Sequence, residues 1–156
     1  MPVLRLETRI AAPPELCFDL TRDVDAHMRS TARSRERAVS GVTTGLMGPG
    51  DTVTWEAVHL GLRQRLTVRI TRYERPHLFA DEMVEGAFRR FTHTHEFRAT
   101  EQGTLMVDIF DYESPLGFLG RLADALFLRG YLLRFLSERA GALKHEAEKT
   151  ASGGEP

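Results

Sequence analysis

Apolar and polar residues alternate with period two along most of this chain, and that alternation predicts strands. Residues 3–10 set Val3, Leu6 and Ile10 among Arg5, Glu7 and Arg9 and read as a first strand. The stretch 51–59 alternates cleanly, and Leu62, Gln64, Leu66, Val68 and Ile70 alternate with Arg63, Arg65, Thr67 and Arg69. Further strands are predicted over 78–84, 88–99 and 104–112, with turns at Gly61, around Pro76, at Glu85–Gly86 and at 101–103. The arginine-rich segment 32–41 (Arg33, Arg35, Arg37) reads as a solvated strand edge, with an anionic ligand site as the alternative.

Two short helices fall between the first strand and the rest. Pro13, Pro14 and Glu15 suit a first helical turn. Asp23 is the candidate N-cap of a second helix from Val24 to about Thr31. The C-terminal run from Leu116 to Phe135 and Leu136 is more apolar than a surface helix requires, which predicts that the sheet of residues 50–113 covers it. Ser114 is its candidate N-cap with Pro115 at the first helical position, and the helix is expected to reach about Lys149, a span of roughly 45–50 Å.

The element order is therefore β-α-α-β6-α. This is an α+β architecture in which a curved antiparallel meander wraps around a long C-terminal helix. One domain over 1–149 and a disordered tail over 150–156 are expected.

Composition narrows the classes. A chain of 156 residues with 42% apolar and 28% charged residues is an ordinary globular balance. The net charge of -1 argues against nucleic acid as the main partner. The lone Cys17 excludes an intramolecular disulfide and a cysteine-based zinc site, and it reads as a small buried hydrophobe. Residues 1–9 lack an apolar core of signal-peptide length, and Arg121, Asp124, Arg129 and Arg134 interrupt the C-terminal run. A cytoplasmic protein without stable membrane insertion is expected.

Strand phase selects the inward face. Phe91, His93, His95 and Phe97 share one side, as do Met106, Asp108, Phe110 and Tyr112. Val53, Trp55, Ala57 and His59 also look inward, with Phe79, Asp81 and Met83. The wall is apolar and carries a few polar groups, Trp55, Asp81, His93, His95 and Asp108. A buried charge must find a partner. Three readings are open: a His–Asp network satisfied by its own members, groups that orient a bound ligand, or a metal held by His93 and His95 with a carboxylate. Beyond His-x-His, no metal-ligand spacing is present, so no metal is expected. Phosphate-binding and dinucleotide fingerprints and a Gly-x-Ser-x-Gly elbow are absent from the sequence.

The entry Ala12, Pro13, Pro14, Glu15, Leu16, Cys17, Phe18 is similar to that of the START-like, or Bet v 1-like (SRPBCC), superfamily. More specific are Phe79-x-Asp81-x-Met83-x-x-Gly86-x-Phe88, His93-x-His95-x-Phe97, Gly103-Thr104, Asp108 and Tyr112-x-x-Pro115-x-Gly117. This pattern resembles a bacterial branch of the polyketide cyclase/dehydrase type, over about residues 3–147. The resemblance implies a helix-grip fold with a deep hydrophobic cavity. It also implies relatives that bind lipids, sterols, polyketides or plant hormones, some of which catalyse cyclisation, dehydration or hydrolysis. The superfamily has no universal catalytic residues to carry over.

The expectation is a cofactor-free binding protein for a hydrophobic small molecule. Trp55, Phe79, Met83, Phe91, Phe110 and Tyr112 are expected to line the site, with Leu122, Leu126 and Phe127 from the helix. Asp81, His93, His95 and Asp108 would orient the ligand's polar end. The alternative is a cyclase or dehydratase with His93 or His95 as general base and Asp108 holding its tautomer. A protein–protein module is a third possibility, for example a homodimer through residues 29–37 or the C-terminal helix.

Overall fold

The alternating segments pair into one seven-stranded antiparallel sheet of order β1-β7-β6-β5-β4-β3-β2. The structure, a computed structural model, describes residues 2–153. The strands are β1 (Val3–Ile10), β2 (Arg37–Gly41), β3 (Thr52–His59), β4 (Leu62–Glu74), β5 (Leu78–Glu85), β6 (Arg90–Thr100) and β7 (Gly103–Glu113). From β2 to β7 the chain is a meander, and β1 closes the far edge against β7, from Val3 opposite Asp111 to Ile10 opposite Thr104. Gly103, at the start of β7, has φ +143, and a Cβ there would stand 2.3 Å from the Ile10 carbonyl oxygen. Glycine thus lets the end of β1 lie directly on this hairpin. Register shifts within β4–β5 and β2–β3 add local bend and twist.

Between β1 and β2 lie α1 (Pro14–Thr21), α2 (Val24–Ser30) and a 3-10 turn at Ala32–Ser34. The Asp23 carboxylate caps α2, accepting from the Asp25 and Ala26 amides at 2.9 and 3.3 Å. The arginine-rich stretch ends in edge strand β2. Arg33 pairs with Glu138 at 2.8 Å and Arg37 with Glu56 at 3.2 Å, so these arginines meet the chain's own carboxylates.

The C-terminal helix consists of α3 (Gly117–Ala123), a π-helical turn (Asp124–Leu128) and α4 (Arg129–Ala151). Leu132, Leu136, Ala140, Leu143 and Ala147 form its buried stripe, and α4 packs on β1, α1 and α2. The protein has the helix-grip, Bet v 1-like α+β fold.

Three helix expectations are corrected. The sheet covers only the C-terminal part of the apolar run. Leu116, Phe118, Leu119, Leu122, Leu126 and Phe127 are exposed because α3 and the π turn project past the packed stripe. Ser114 does not cap the helix. Leu116, with φ 67, precedes Gly117, and the Ser114 hydroxyl is buried without a partner among the described residues. The helix also runs through Thr150 to Ala151, into the stretch expected to be a tail; residues 154–156 of that stretch lie outside the described residues. No helix among the described residues is long and apolar enough to cross a membrane.

Candidate functional site

Between the curved sheet, the α1–α2 junction and α4 lies a cavity of about 330 Å³. That volume is at the low end for small-molecule sites, and so is suited to one compact ligand. Its wall is largely apolar. Val53 and Trp55 come from β3, Val68 and Ile70 from β4, Phe79 from β5, and Phe91 and Phe110 from β6 and β7. Leu128, Leu132 and Leu136 close it from the helix side.

Two polar clusters interrupt this wall. The first is built by strand pairing: Asp81 stands opposite His93 on β5–β6, and His95 opposite Asp108 on β6–β7. One Asp108 carboxylate oxygen receives His93 Nε2 at 3.1 Å and His95 Nδ1 at 2.8 Å. His95 Nε2 lies 3.4 Å from Asp81 Oδ2, so a carboxylate faces each of its nitrogens. Phe79 stacks on its ring with centroids 4.5 Å apart.

The electrostatics follow from these contacts. Burial opposes ionisation of Asp108, but hydrogen bonds from His93 and His95 outweigh it and hold the carboxyl well below the usual range. Burial also disfavours His95 as a cation, yet its bonds to Asp108 and Asp81 raise it overall. Among the described residues, His93 has no second carboxylate at ion-pair distance. Burial, followed by the positive charge of His95, pushes it down to about 4, and it is neutral near pH 7. Asp81, His93 and His95 each bring a donor atom within 4.8 Å of the others, a grouping compatible with a metal ion in donor chemistry. The carboxylates already satisfy the His95 nitrogens, so this cluster is held together by its own members.

The second cluster was not nominated from sequence, although strand phase turned His59 inward. Glu36, buried just before β2, lies 2.8 Å from His27 Nε2 and 3.8 Å from His59 Nε2. With the His59 Nε2 proton directed at Glu36, its Nδ1 accepts from the Tyr131 hydroxyl at 2.7 Å. His27 stacks on Trp55 with centroids 4.0 Å apart. Burial works against a charged Glu36, but the charge and bonds of the surrounding imidazoles keep it ionised, well below the usual carboxylate range. Arg139, on α4, also lines the cavity.

Sequence signals for these residues exist. Glu36 alternates with Arg35 and Arg37 in phase with a buried face. Arg139 sits three residues after Leu136 and four before Leu143, on the apolar stripe of the last helix.

Of the residues nominated from sequence, Trp55, Phe79, Asp81, Phe91, His93, His95 and Phe110 line the cavity. Asp108 lies behind the two imidazoles and not at the cavity surface. Tyr112 is fully buried but outside the cavity. Its hydroxyl donates to Asp124 in the π turn, and burial together with that carboxylate raises its pKa. Met83 is only partly buried, against the edge of the core, and does not reach the cavity. Leu122, Leu126 and Phe127 are corrections: at 48%, 73% and 55% exposure they face outward, because the covering helix segment begins at Leu128.

The model of the family described as polyketide cyclase / dehydrase and lipid transport matches residues 1–148. The chain belongs to this family. Among solved structures, it is similar to TTHA0849 from Thermus thermophilus, with 22% identity, a TM-score of 0.79 and coverage of 96% of this chain and 99% of that one. It is also similar to the ZhuI aromatase/cyclase from Streptomyces sp. R1128 (16% identity, TM-score 0.78, 99% of both chains). A third similar structure is the major latex-like protein 151 from Panax ginseng (14% identity, TM-score 0.70, 94% of this chain and 97% of that one). At these identities the likeness concerns the fold. No curated protein matches the chain.

Proposed function

We propose that this member of the polyketide cyclase / dehydrase and lipid transport family binds a compact hydrophobic molecule, aromatic, polyketide-like or lipid, between its sheet and α4. The observation that carries the reading is the cavity itself: about 330 Å³, walled largely by aliphatic and aromatic side chains, with two buried polar clusters set into the wall. Burial of apolar ligand surface contributes about 25 cal/mol per Å², so such a wall binds with few polar contacts, which then set orientation. Trp55, Phe79, Phe91 and Phe110 form the apolar contact, and Asp81, His93 and His95 face the ligand's polar end. Native mass spectrometry of freshly purified protein, followed by titration with naphthalene-type and medium-chain aliphatic probes, tests this. A co-purified apolar molecule, or saturable probe binding, is expected. Neither a bound molecule nor probe binding would remove the reading.

A second reading is an enzyme of the cyclase or dehydratase kind, favoured by one specific observation. His93 is neutral and lines the cavity, and its Nε2 proton is engaged by Asp108, which leaves Nδ1 as the lone-pair nitrogen. Such a group can remove a proton from carbon next to a carbonyl. The aromatase/cyclase among the similar structures makes that class of reaction worth testing here. Deuterium exchange into 2-tetralone measures it. Catalysed exchange lost in His93→Gln supports an enzyme, and exchange equal to buffer leaves a binding protein.

A further inference from the structure

We propose that Arg139 is a receptor for a carboxylate, and that the cavity therefore takes a monocarboxylic acid with an apolar body. This deepens the ligand-binding reading above and rests on it.

Arg139 is 8% exposed and lines the cavity among Leu132, Leu136 and the sheet. Its Nε is sealed from solvent without a hydrogen-bond partner, and no carboxylate of the described residues lies within ion-pair distance of the guanidinium. A guanidinium is permanently charged, has five N–H donors in a planar fork, and accepts nothing. Leaving it buried and unpaired is costly unless something supplies the anion.

The carboxylates that line the cavity are already engaged. Glu36 is held by His27 and His59, Asp81 by His95, and Asp23 by the Asp25 and Ala26 amides, while Asp108, behind the wall, is held by both His93 and His95. The two other arginines that reach the cavity, Arg22 and Arg65, pair with Asp19 and Glu56. Arg139 shares the cavity wall with both clusters. Its charge is felt by His27 in one, and by Asp81 and His95 in the other. It is thus the one cavity guanidinium that the described residues leave without a carboxylate. A carboxylate matches the guanidinium fork with two parallel hydrogen bonds, whereas an amide or alcohol of the same shape offers no charge. The apolar wall accommodates the remainder of the molecule, whether an aromatic ring system or an alkyl chain.

The test is calorimetric titration of the full chain with two matched pairs, 2-naphthoate against 2-naphthamide and laurate against dodecanol. The wild type is expected to prefer each acid by at least about tenfold, the range of a charge-assisted hydrogen bond. Arg139→Met keeps bulk and removes charge. It is expected to bind the neutral compounds as before and to lose the preference, with Arg139→Lys intermediate. The naphthyl and alkyl pairs distinguish an aromatic acid from a fatty acid. Equal affinity for acid and neutral partner in the wild type, or a preference that survives Arg139→Met, overturns the proposal and leaves the hydrophobic-ligand reading intact. Binding of none of the four removes that reading, and this one with it. Should Arg139→Met fail to fold, the wild-type pairs and Arg139→Lys decide the matter.

Discussion

Asp108 holds two imidazoles with a single oxygen while 5% exposed, so truncating it takes the carboxylate from buried His93 and leaves His95 with Asp81 alone. Asp108→Ala is expected to destabilise the fold by about 3 kcal/mol in urea denaturation; a loss under ~1 kcal/mol would mean the cluster is not structural. His93 sets a pH dependence. The unfolded chain protonates this residue below its ordinary value of 6.5, the folded protein only below about 4. Between those values the unfolded state binds more protons, so stability falls as pH falls. His95 has the opposite sign: its raised pKa gives a contribution present below 6.5 and lost as pH rises through the folded value. Asp81, Asp108 and Arg139 are the charges that face this pair. His93→Gln is therefore expected to lose less stability than wild type between pH 7 and pH 5, by on the order of 1 kcal/mol; equal urea midpoint shifts would contradict this. Phase along β6 and β7 made these residues legible in sequence, because a period of two leaves only two faces to choose from.

At the scale of the element, the last helix was half legible. Its composition announced burial, yet composition does not say which part is covered. The deciding feature is local: the turn at Leu116 and the close approach of Pro115 send α3 outward. A Cβ on Gly120 would stand 1.8 Å from the Pro115 carbonyl oxygen, whereas nothing lies within 4 Å of one on Gly130. Alanine at the two positions should act with opposite signs. Gly120→Ala is expected to cost about 2 kcal/mol through forced backbone displacement. Gly130→Ala is expected to gain up to about 1 kcal/mol in helix propensity. Thermal melts of both variants test this, and a neutral Gly120→Ala would show that the Pro115 turn relaxes freely. Tyr112 illustrates the same limit. Its strand phase was right, but the π turn brings Asp124 to its hydroxyl, and that pairing takes it away from the cavity.

For the whole molecule, the cavity separates ligand binding from stability. Ala57 is buried and lines the void. Ala57→Leu should fill part of it, lowering probe affinity by about tenfold or more while leaving the melting temperature unchanged or raised. Probe affinity equal to wild type would place the ligand elsewhere. Leu119, Leu122, Leu126 and Phe127 make an exposed apolar face on α3 and the π turn, where the homodimer expected as one alternative from the sequence is tested. Light scattering over a range of concentrations reads this directly: a monomer throughout removes self-association, and a dimer abolished by Leu126→Ser locates it.

Element order, strand phase and the inward set of β3, β6 and β7 follow from the sequence alone, because alternation is a local property that each strand carries by itself. The two ends of the cavity's chemistry do not. Glu36 meets His27 and His59, and Arg139 reaches the cavity wall they share with Asp81, only when α2, β2, β3 and α4 converge. Those residues are far apart in the chain, and no local period relates them. Tertiary packing decided which charges of the cavity found partners, and among the described residues it left one buried guanidinium there without a carboxylate at ion-pair distance.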